Sequence, residues 1–300
     1  MKALFVFVIS MVAAGFPPVG VAEQVPEAGY VERVACPQAF IWTTSQGKTK
    51  PVIALTIVHQ GDRFSLSSAA KSECEPSVAI NVGGSSFVLN KGNMPFEIKA
   101  PGGSQRTVLQ NMIGWISGLV TQEVRKRVET KSRGEEFALR VIDQTGAKML
   151  SGRRTVRLSW RGGRGAYTVE VRNLTETVFA ADNLSENVVE VPERHWQHGE
   201  YLIRISDSTG ASLDTVLEVV GETDLPVMPS TRAQAIDHSS LDEPAKATLR
   251  AAWLAYQPGG WAWEAYQRAI ELESGYPPAG YLRKRLEQTT PNERARQSFW

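Results

Sequence analysis

The stretch TVRLSWR, at residues 155–161, decides the fold of this chain. Its valine, leucine and tryptophan alternate strictly with polar residues, and after the loop GGRG at 162–165 the alternation resumes in YTVEVR at 167–172. A period of two is typical of strands with one buried face and one solvent-exposed face. Glycine-rich punctuation between two such runs marks a hairpin or the corner of a sandwich. The sequence therefore predicts a small antiparallel β-domain around residues 155–221.

The composition is that of an ordinary globular protein, with 42% apolar and 22% charged residues. Its 300 residues are enough for two or three domains. Lys and Arg number 33 against 32 Asp and Glu. Such a balanced chain has no general electrostatic attraction to nucleic acid, so we do not expect a nucleic-acid partner.

The first 22 residues have the layout of a Sec-type signal peptide. Lys2 precedes an apolar run at 3–14, and small residues stand ahead of Glu23. We expect cleavage at that point and a periplasmic or secreted protein without a membrane span. The alternative, an uncleaved anchor, is disfavoured because two prolines follow the short apolar run.

The chain has two cysteines, Cys36 and Cys74. An exported protein with an even number of cysteines most simply forms a disulfide, and we predict that these two are bonded to each other. The alternative is two free thiols. Their spacing matches no zinc or redox motif, and the sequence predicts no cofactor.

Residues 23–103 contain short apolar runs separated by turn signals, which is typical of an all-β sandwich, barrel or roll. Three successive segments resemble a FecR-type periplasmic domain: VHQGDRFSL, residues 74–82 and GGSSFVLNKGNMPFEI. In that family a Gly-Asp turn precedes a strand, and a glycine lies at the hairpin of a following strand pair. The resemblance implies, as one alternative function, a component of a FecR-like envelope signalling system.

The sequence of residues 104–134 predicts an amphipathic helix followed by a linker. Apolar residues recur at steps of three and four between Thr107 and Lys126, and basic residues gather at the C-terminal end. We expect this helix to pack on a core. The alternative is a helix that lies on a membrane surface.

Residues 135–222 hold the deciding stretch and resemble an immunoglobulin-like domain. LSW, the glycine-rich loop and AYTVEV resemble the B and C strands of fibronectin-III or related domains. GEYLIRISDSTG, at 199–210, resembles the F strand and the F–G turn. The resemblance implies a β-sandwich that acts as a spacer or a binding module.

The C-terminal part is predicted to be helical. SLDE at 240–243 has the pattern of a capping box, and two apolar-periodic segments follow on either side of a Pro-Gly-Gly break. We expect a helical cap packed on the β-domains. The predicted fold is therefore mainly β and multi-domain: signal peptide 1–22, FecR-like β-roll or sandwich 23–103, connecting helix and linker 104–134, immunoglobulin-like sandwich 135–222, linker 223–237 and helical cap 238–300.

A cluster of arginines surrounds the deciding stretch. The alternation directs Arg157 and Arg161 away from the sandwich core. They could form a solvated face paired with Glu170 and Glu190 across strands. The alternative is a docking surface for an acidic partner. The members of this arginine cluster are Arg153, Arg154, Arg157, Arg161 and Arg164.

His195 and His198 are the closest pair of histidines in the chain. A metal site here would need a further ligand, for which Glu193 or Glu200 is available. The pair stands just before a predicted strand, so a surface turn is the favoured interpretation. We expect Trp196, between the two histidines, to be a core residue.

Motifs for common catalytic machinery are missing from the sequence: it has no nucleophile elbow, zinc-protease helix or phosphate loop. We therefore expect an exported, non-enzymatic binding or scaffold protein whose partner is another envelope protein. A metal-assisted enzyme that uses His195 and His198 is the alternative. The sequence leaves the oligomeric state open.

Overall fold

The protein is mainly β, as predicted, with five helices among the residues that the structure describes. The predicted signal peptide, the linker predicted after the first helix and the chain beyond Thr289 lie outside those residues. The computed structural model describes residues 25–68, 74–99, 107–126, 137–142 and 146–289.

The N-terminal β-domain consists of two four-stranded sheets. Their strand orders are β4-β1-β6-β7 and β3-β2-β5-β8, and neighbouring strands in both sheets are antiparallel. The strands are β1 (Glu27–Ala35), β2 (Phe40–Thr43), β3 (Thr49–Lys50), β4 (Ile57–His59), β5 (Arg63–Leu66), β6 (Ser77–Val82), β7 (Ser85–Leu89) and β8 (Phe96–Glu97).

A separate apolar core holds these two sheets together, and a disulfide links two neighbouring segments of one of them. Trp42 stacks on Phe64 with ring centroids 5.2 Å apart, and both rings are fully buried. Cys36 and Cys74 form a disulfide with a Cα–Cα distance of 6.2 Å, in agreement with the predicted pairing. This bridge lies just beyond the paired ends of β1 and β6, where Ala35 faces Ser77.

The Gly-Asp turn ahead of β5 is fixed by a buried carboxylate. Asp62 is fully buried and accepts hydrogen bonds from Trp42 Nε1 (3.0 Å) and from the backbone N–H groups of Ser45 (2.9 Å) and His59 (3.0 Å). Three donors satisfy the buried charge, so this aspartate has a structural role in the turn.

Helix α1 (Val108–Lys126) follows, as predicted, with Thr107 at its start. The backbone N–H of Gln110 donates to Thr107 Oγ1, and Gln110 Oε1 accepts from the Thr107 N–H, so the pair forms a capping box. The predicted apolar stripe is buried at Leu109, Met112, Ile113 and Ile116. The predictions for Val120 and Val124 concern side chains outside the described part.

The second β-domain is a sandwich of a three-stranded sheet, in the order β14-β11-β9, and a five-stranded sheet, in the order β10-β16-β15-β12-β13. β10 runs parallel to β16, and the other neighbouring strands are antiparallel. The strands are β9 (Ala138–Leu139), β10 (Ala147–Leu150), β11 (Gly152–Arg161), β12 (Tyr167–Arg172), β13 (Thr177–Leu184), β14 (Val188–Trp196), β15 (Gly199–Ser206) and β16 (Ser212–Val220).

The glycine-rich loop at 162–165 is the corner of this sandwich. β11 and β12 belong to different sheets, so the interpretation of the loop as a hairpin is wrong and the alternative of a corner is correct. Apolar residues of the alternating strands form the core of the sandwich, as the period of two predicts: Trp160, Tyr167, Val169, Tyr201, Ile203 and Leu217 are all buried in one cluster.

The C-terminal region forms helices α2 (Ser230–Asp237), α3 (Glu243–Ala255), α4 (Ala262–Glu273) and α5 (Pro277–Gln288). α2 lies in the segment where the sequence predicted a linker, and its Ile236 is fully buried. The capping box at 240–243 is a wrong prediction, because Asp242 caps α3 by accepting from the Ala245 N–H (3.0 Å). Ser240 instead donates to Glu32 of the N-terminal β-domain.

The helices connect the two β-domains. Buried residues of α1, α3, α4 and α5 belong to the same apolar cluster as the interior of the sandwich and four residues of the N-terminal β-domain, Tyr30, Ala54, Leu55 and Ile57. The N–H of Ile57 also donates to Ser117 Oγ of α1 at 3.0 Å. The helical layer therefore lies against both β-domains. None of the described helices is long and apolar enough to cross a membrane.

Candidate interaction surfaces

The outer side of strand β11 is covered by helix α4. We call this surface the covered face and define it by Arg154, Arg157 and Ser159 of β11. Arg154 pairs with Glu264 (2.8 Å) and Glu271 (2.6 Å) of α4, and its side chain is only 13% exposed. Arg157 lies 3.8 Å from Glu273 of the same helix. Two members of the predicted arginine cluster, Arg154 and Arg157, therefore contact acidic residues of α4.

Glu264 is the centre of the covered face. Its side chain is 2% exposed, and its carboxylate accepts hydrogen bonds from Arg154 (2.8 Å), Arg268 (2.8 Å) and the backbone N–H of Leu150 (3.0 Å). A buried carboxylate is tolerated when its charge is paired and its oxygens are hydrogen-bonded, which is the situation here. Removal of Glu264 would leave two guanidinium groups without a buried counter-charge.

Gln267 attaches α4 to the backbone of β11. Its Oε1 accepts from the N–H of Arg157 (3.0 Å), and its Nε2 donates to the carbonyl of the same residue (2.9 Å). The side chain of Gln267 therefore provides hydrogen-bond partners for both backbone groups of Arg157 on the side of β11 that faces α4. Each such hydrogen bond contributes about 0.5–1.5 kcal/mol of net stability.

Ser159 and Tyr266 meet at the buried centre of the same surface, with 3.0 Å between their hydroxyl oxygens. The Tyr266 hydroxyl also donates to Glu287 of α5 at 2.9 Å. Burial, reinforced by the negative charge of Glu287, raises the pKa of Tyr266 above its ordinary value. This hydroxyl is therefore a neutral hydrogen-bond donor that holds β11 and α5 together.

The turn between α3 and α4 packs directly against β10. The N–H of Lys148 donates to the carbonyl of Gly260 at 3.0 Å. A Cβ at Gly260 would lie 2.9 Å from the carbonyl oxygen of Gly146, and the backbone of Gly260 has a φ of +86°. Only glycine allows both this conformation and this close approach.

The remaining arginines of the cluster do not form one surface with Arg154. Arg153 is exposed and pairs with Glu193 (3.2 Å), Arg161 is half-buried at the end of β11, and Arg164 is exposed in the corner loop. Arg157 lies 3.8 Å from Glu190, the acid predicted to pair across the strands. The predicted pairing with Glu170 is not found, because Glu170 lies in the other sheet and accepts from Thr177.

The outer side of the five-stranded sheet is exposed on its central strands. We call this surface the open face and define it by the outward residues of β12, β15 and β16. In the β15–β16 register Leu202 faces Val216, and Arg172 of β12 faces Leu202 on the other side. The outward residues are Thr168, Glu170 and Arg172 of β12, Glu200, Leu202, Arg204 and Ser206 of β15, and Ser212, Asp214, Val216 and Glu218 of β16.

An exposed ion pair lies beside this apolar row. Arg204 donates two hydrogen bonds of 2.7 Å to the carboxylate of Asp214, its cross-strand neighbour. The hydrogen bond from Arg204 is the main cause that lowers the pKa of Asp214 below its ordinary value. The open face thus combines an apolar centre, with Val216 44% exposed, and charges of both signs.

His195 and His198 are both exposed, and Trp196 between them is buried in the sandwich core, as predicted. His195 lies on β14 rather than in a turn, and His198 lies in the connection to β15. Glu193, one of the two acids proposed as a third ligand, pairs with Arg153. In the described part of the chain no three His, Cys, Asp or Glu side chains come together as a metal site.

Sequence reasoning did not identify the α4 residues that cover β11. Glu264, Gln267 and Glu271 recur at steps of three and four, on a helix that also carries Trp263 and Tyr266. That spacing puts the polar residues on one side of the helix, which is usually a solvent-facing side. The one available signal was the local excess of arginine on β11, because several positive charges close together are usually paired with acidic residues.

Comparison with protein-family models, with curated proteins and with solved structures finds no match for this chain. The function of the chain is therefore inferred from the two surfaces described above.

Proposed function

We propose that this chain is an exported, non-enzymatic binding or scaffold protein of the cell envelope, and that the open face binds another envelope protein. The Cys36–Cys74 disulfide supports export, because disulfides persist in oxidising compartments. The predicted signal peptide supports the same location.

We further propose that the sandwich is of the immunoglobulin type. Two observations support this assignment. β11 and β14 are neighbours in one sheet, whereas β12 and β13, which lie between them in the sequence, belong to the other sheet. Crossovers of this kind between two packed, mainly antiparallel sheets are typical of immunoglobulin-like domains, which commonly serve as binding modules.

The N-terminal β-domain is proposed to be FecR-like. Its support is local: the Gly61-Asp62 turn precedes β5, and Gly83-Gly84 form the turn of the β6–β7 hairpin. These are the two features on which the resemblance rests. This assignment concerns the type of domain, and the proposed binding function does not require a signalling role.

The observation that carries the binding proposal is the contrast between β11 and the central strands of the five-stranded sheet. The covered face is occupied by α4, and the contacts of Glu264, Gln267 and Tyr266 fill it. The apolar side chains of α4 belong to the common core, so an external partner cannot displace this helix without unfolding the helical region. The open face has no such cover among the described residues.

The chemistry of the open face fits a protein partner. A short apolar row, Leu202 and Val216, is flanked by Arg172 and by the Arg204–Asp214 pair. An apolar centre with a charged rim is typical of transient protein interfaces. Acidic and basic side chains are mixed across the face, so it has no uniform charge that would favour a polyanion.

Site-specific photocrosslinking in the exporting host tests this proposal. A photoreactive phenylalanine analogue at Val216 should give a discrete covalent adduct with one envelope protein. The matched control is the same analogue at Val227, which is 91% exposed but lies in the segment between the sandwich and α2. Adding Arg172→Glu to the protein that carries the analogue at Val216 should abolish the adduct, because Arg172 belongs to the same cross-strand row.

The outcomes separate the two parts of the proposal. Mature protein in the envelope that gives no adduct at Val216, or the same adducts at Val216 and Val227, contradicts the binding role of the open face. Protein that keeps its first 22 residues and stays in the cytoplasm contradicts export.

A further inference from the structure

Strand β7 is the edge of its sheet and is largely exposed to solvent. The strand order is β4-β1-β6-β7, and among the described residues β7 pairs with β6 alone. Four of its five residues are exposed, including Phe87 (43%) and Val88 (51%). It thus carries two adjacent, exposed, large apolar side chains on a strand with a free edge.

The backbone of β7 presents hydrogen-bonding groups at this edge. Asn93 Nδ2, in the exposed turn after β7, donates to the carbonyl of Val88 at 2.8 Å, so this carbonyl points away from the β6–β7 ladder. In an antiparallel pair the backbone groups of alternate residues point to the same side. The N–H and C=O of Ser86 therefore lie on the free edge together with those of Val88.

The edge has few of the features with which proteins prevent strand addition. β7 contains no charged residue and no proline, and its register with β6 is uninterrupted by a bulge. Charges, prolines and bulges are the usual means of blocking such an edge. The Asn93 side chain is the one hydrogen-bond partner found on this edge among the described residues. An edge that is covered so little can bind another extended segment through main-chain hydrogen bonds.

We propose that this segment is β7 of a second copy of the chain, paired antiparallel about a two-fold axis at Phe87. In this arrangement Ser86 of each copy exchanges main-chain hydrogen bonds with Val88 of the other, and the Asn93 contact is replaced. The β4-β1-β6-β7 sheet of one copy and the same sheet of the other then form one continuous sheet of eight strands. This inference concerns the N-terminal β-domain alone and does not depend on the binding role of the open face.

Two properties of the strand favour a second copy over an unrelated partner. Pairing about Phe87 places the Phe87 side chains of the two copies next to each other; each is 43% exposed and lies 6.2 Å from Phe96 of its own copy, measured between ring centroids. It also sets Lys91, the charged residue nearest to β7 in the turn that follows, opposite Gly83 of the other copy, so no like charges meet. The pairing is therefore compatible with itself in both shape and charge.

A contact made by one short strand is much smaller than a standard interface. We therefore expect a weak dimer whose population rises with protein concentration. Sedimentation velocity of the mature chain should show a monomer–dimer equilibrium. Val88→Lys should shift the protein to monomer, because it introduces a charge at the edge. Ile41→Lys is the matched control, because Ile41 is also exposed but lies on β2, which pairs on both sides.

A cysteine at the axis provides a second test that does not depend on a strong dimer. Both native cysteines are in the disulfide, so Phe87→Cys introduces the sole free thiol of the mature chain. At a non-hydrogen-bonded antiparallel pair the Cα atoms are about 4.5 Å apart, which allows a disulfide. Mild oxidation should give a covalent dimer with Phe87→Cys and much less with Ile41→Cys.

Four outcomes would overturn the inference: a wild-type chain that is monomeric at every concentration, a dimer that persists in Val88→Lys, a dimer that Ile41→Lys disrupts equally, or crosslinking as fast at residue 41 as at residue 87. Thermal melting of each variant shows that it is folded before its association is compared.

Discussion

Strand β11 and the central strands of the five-stranded sheet alternate in the same way but have very different outer surfaces. On β11 the outward Ser159 is buried and Arg157 is half-buried, because α4 lies against them. On β16 the outward Asp214 and Val216 are exposed. A period of two thus identifies which residues leave the sandwich core, but it does not show whether they enter solvent or a second interface.

The two surfaces also use ionic groups differently. The Arg154–Glu264 pair is almost completely buried, and Glu264 has two further hydrogen bonds. The Arg204–Asp214 pair has better bidentate geometry but is exposed to solvent. Because water screens exposed charges, geometry alone does not rank such pairs, and burial decides which pair matters for stability.

The largest effect is expected at Trp160, in the core that both sheets share. Trp160→Ala should lower the free energy of unfolding by about 3–5 kcal/mol, the usual range for loss of a buried large aromatic side chain. Urea unfolding measures this change. Val216→Ala on the open face is the control and should change the stability by less than about 0.5 kcal/mol. A harmless Trp160→Ala would mean that the strand faces are exchanged.

The next effect is expected at Glu264, under α4. Glu264→Gln keeps the shape of the side chain but leaves Arg154 and Arg268 without the buried charge, and it should cost about 3 kcal/mol. The same urea measurement applies, with Glu190→Gln as the exposed control. Equal stabilities of these two variants would contradict the distinction between covered and exposed acids.

A smaller loss is expected at Gln267. Gln267→Ala leaves the N–H and C=O of Arg157 without partners beneath the helix and should cost about 1–3 kcal/mol. The mutation should also increase the hydrogen-exchange rate of the Arg157 amide by more than that of the Leu158 amide. Unchanged exchange at Arg157 would show that this side chain does not hold α4 on β11.

The smallest effect is expected at Asp214. Its pKa is lower in the folded protein, chiefly because Arg204 donates to it, so the stabilisation is present above the ordinary aspartate pKa of about 4 and is lost as the pH falls through the folded value. Asp214→Asn should remove only this small dependence of the unfolding free energy on acidic pH, and high salt should mask the dependence in the unmutated protein. A loss at neutral pH as large as that of Glu264→Gln would contradict the account.

The sequence was sufficient to predict local features. The alternation in 155–161 and 167–172 correctly separated the core residues of these strands, because side chains on a strand point alternately to its two faces. The disulfide and the apolar stripe of α1 also followed from residue type and spacing.

Strand β1 was not predicted, although it pairs with both β4 and β6. Its register with β6 shifts between Val31 and Arg33, so the alternation is interrupted at Glu32. Glu32 is itself buried, where it accepts hydrogen bonds from Asn81, Ser86 and Ser240. A buried acid with donors from distant parts of the chain is not distinguishable from a surface acid in one sequence.

The burial of the covered face was also beyond the sequence. Arg154 and Glu264 are far apart in the chain, and neither lies in a motif that predicts the other. Which helix packs on which sheet depends on tertiary contacts that periodicity does not encode. Two members of the arginine cluster, Arg154 and Arg157, contact acids of the same chain, and the hypothesis of an acidic docking partner stays a prediction.

Thiol accessibility tests the contrast between the two faces most directly. Ser159→Cys and Val216→Cys each add a single free thiol at an outward position, one on the covered face and one on the open face, and thermal melting shows whether each variant is folded. With a maleimide reagent under native conditions, Val216→Cys should react as fast as an unprotected thiol, and Ser159→Cys should react only after denaturant unfolds the protein. Equal labelling rates in the two folded variants would contradict the account.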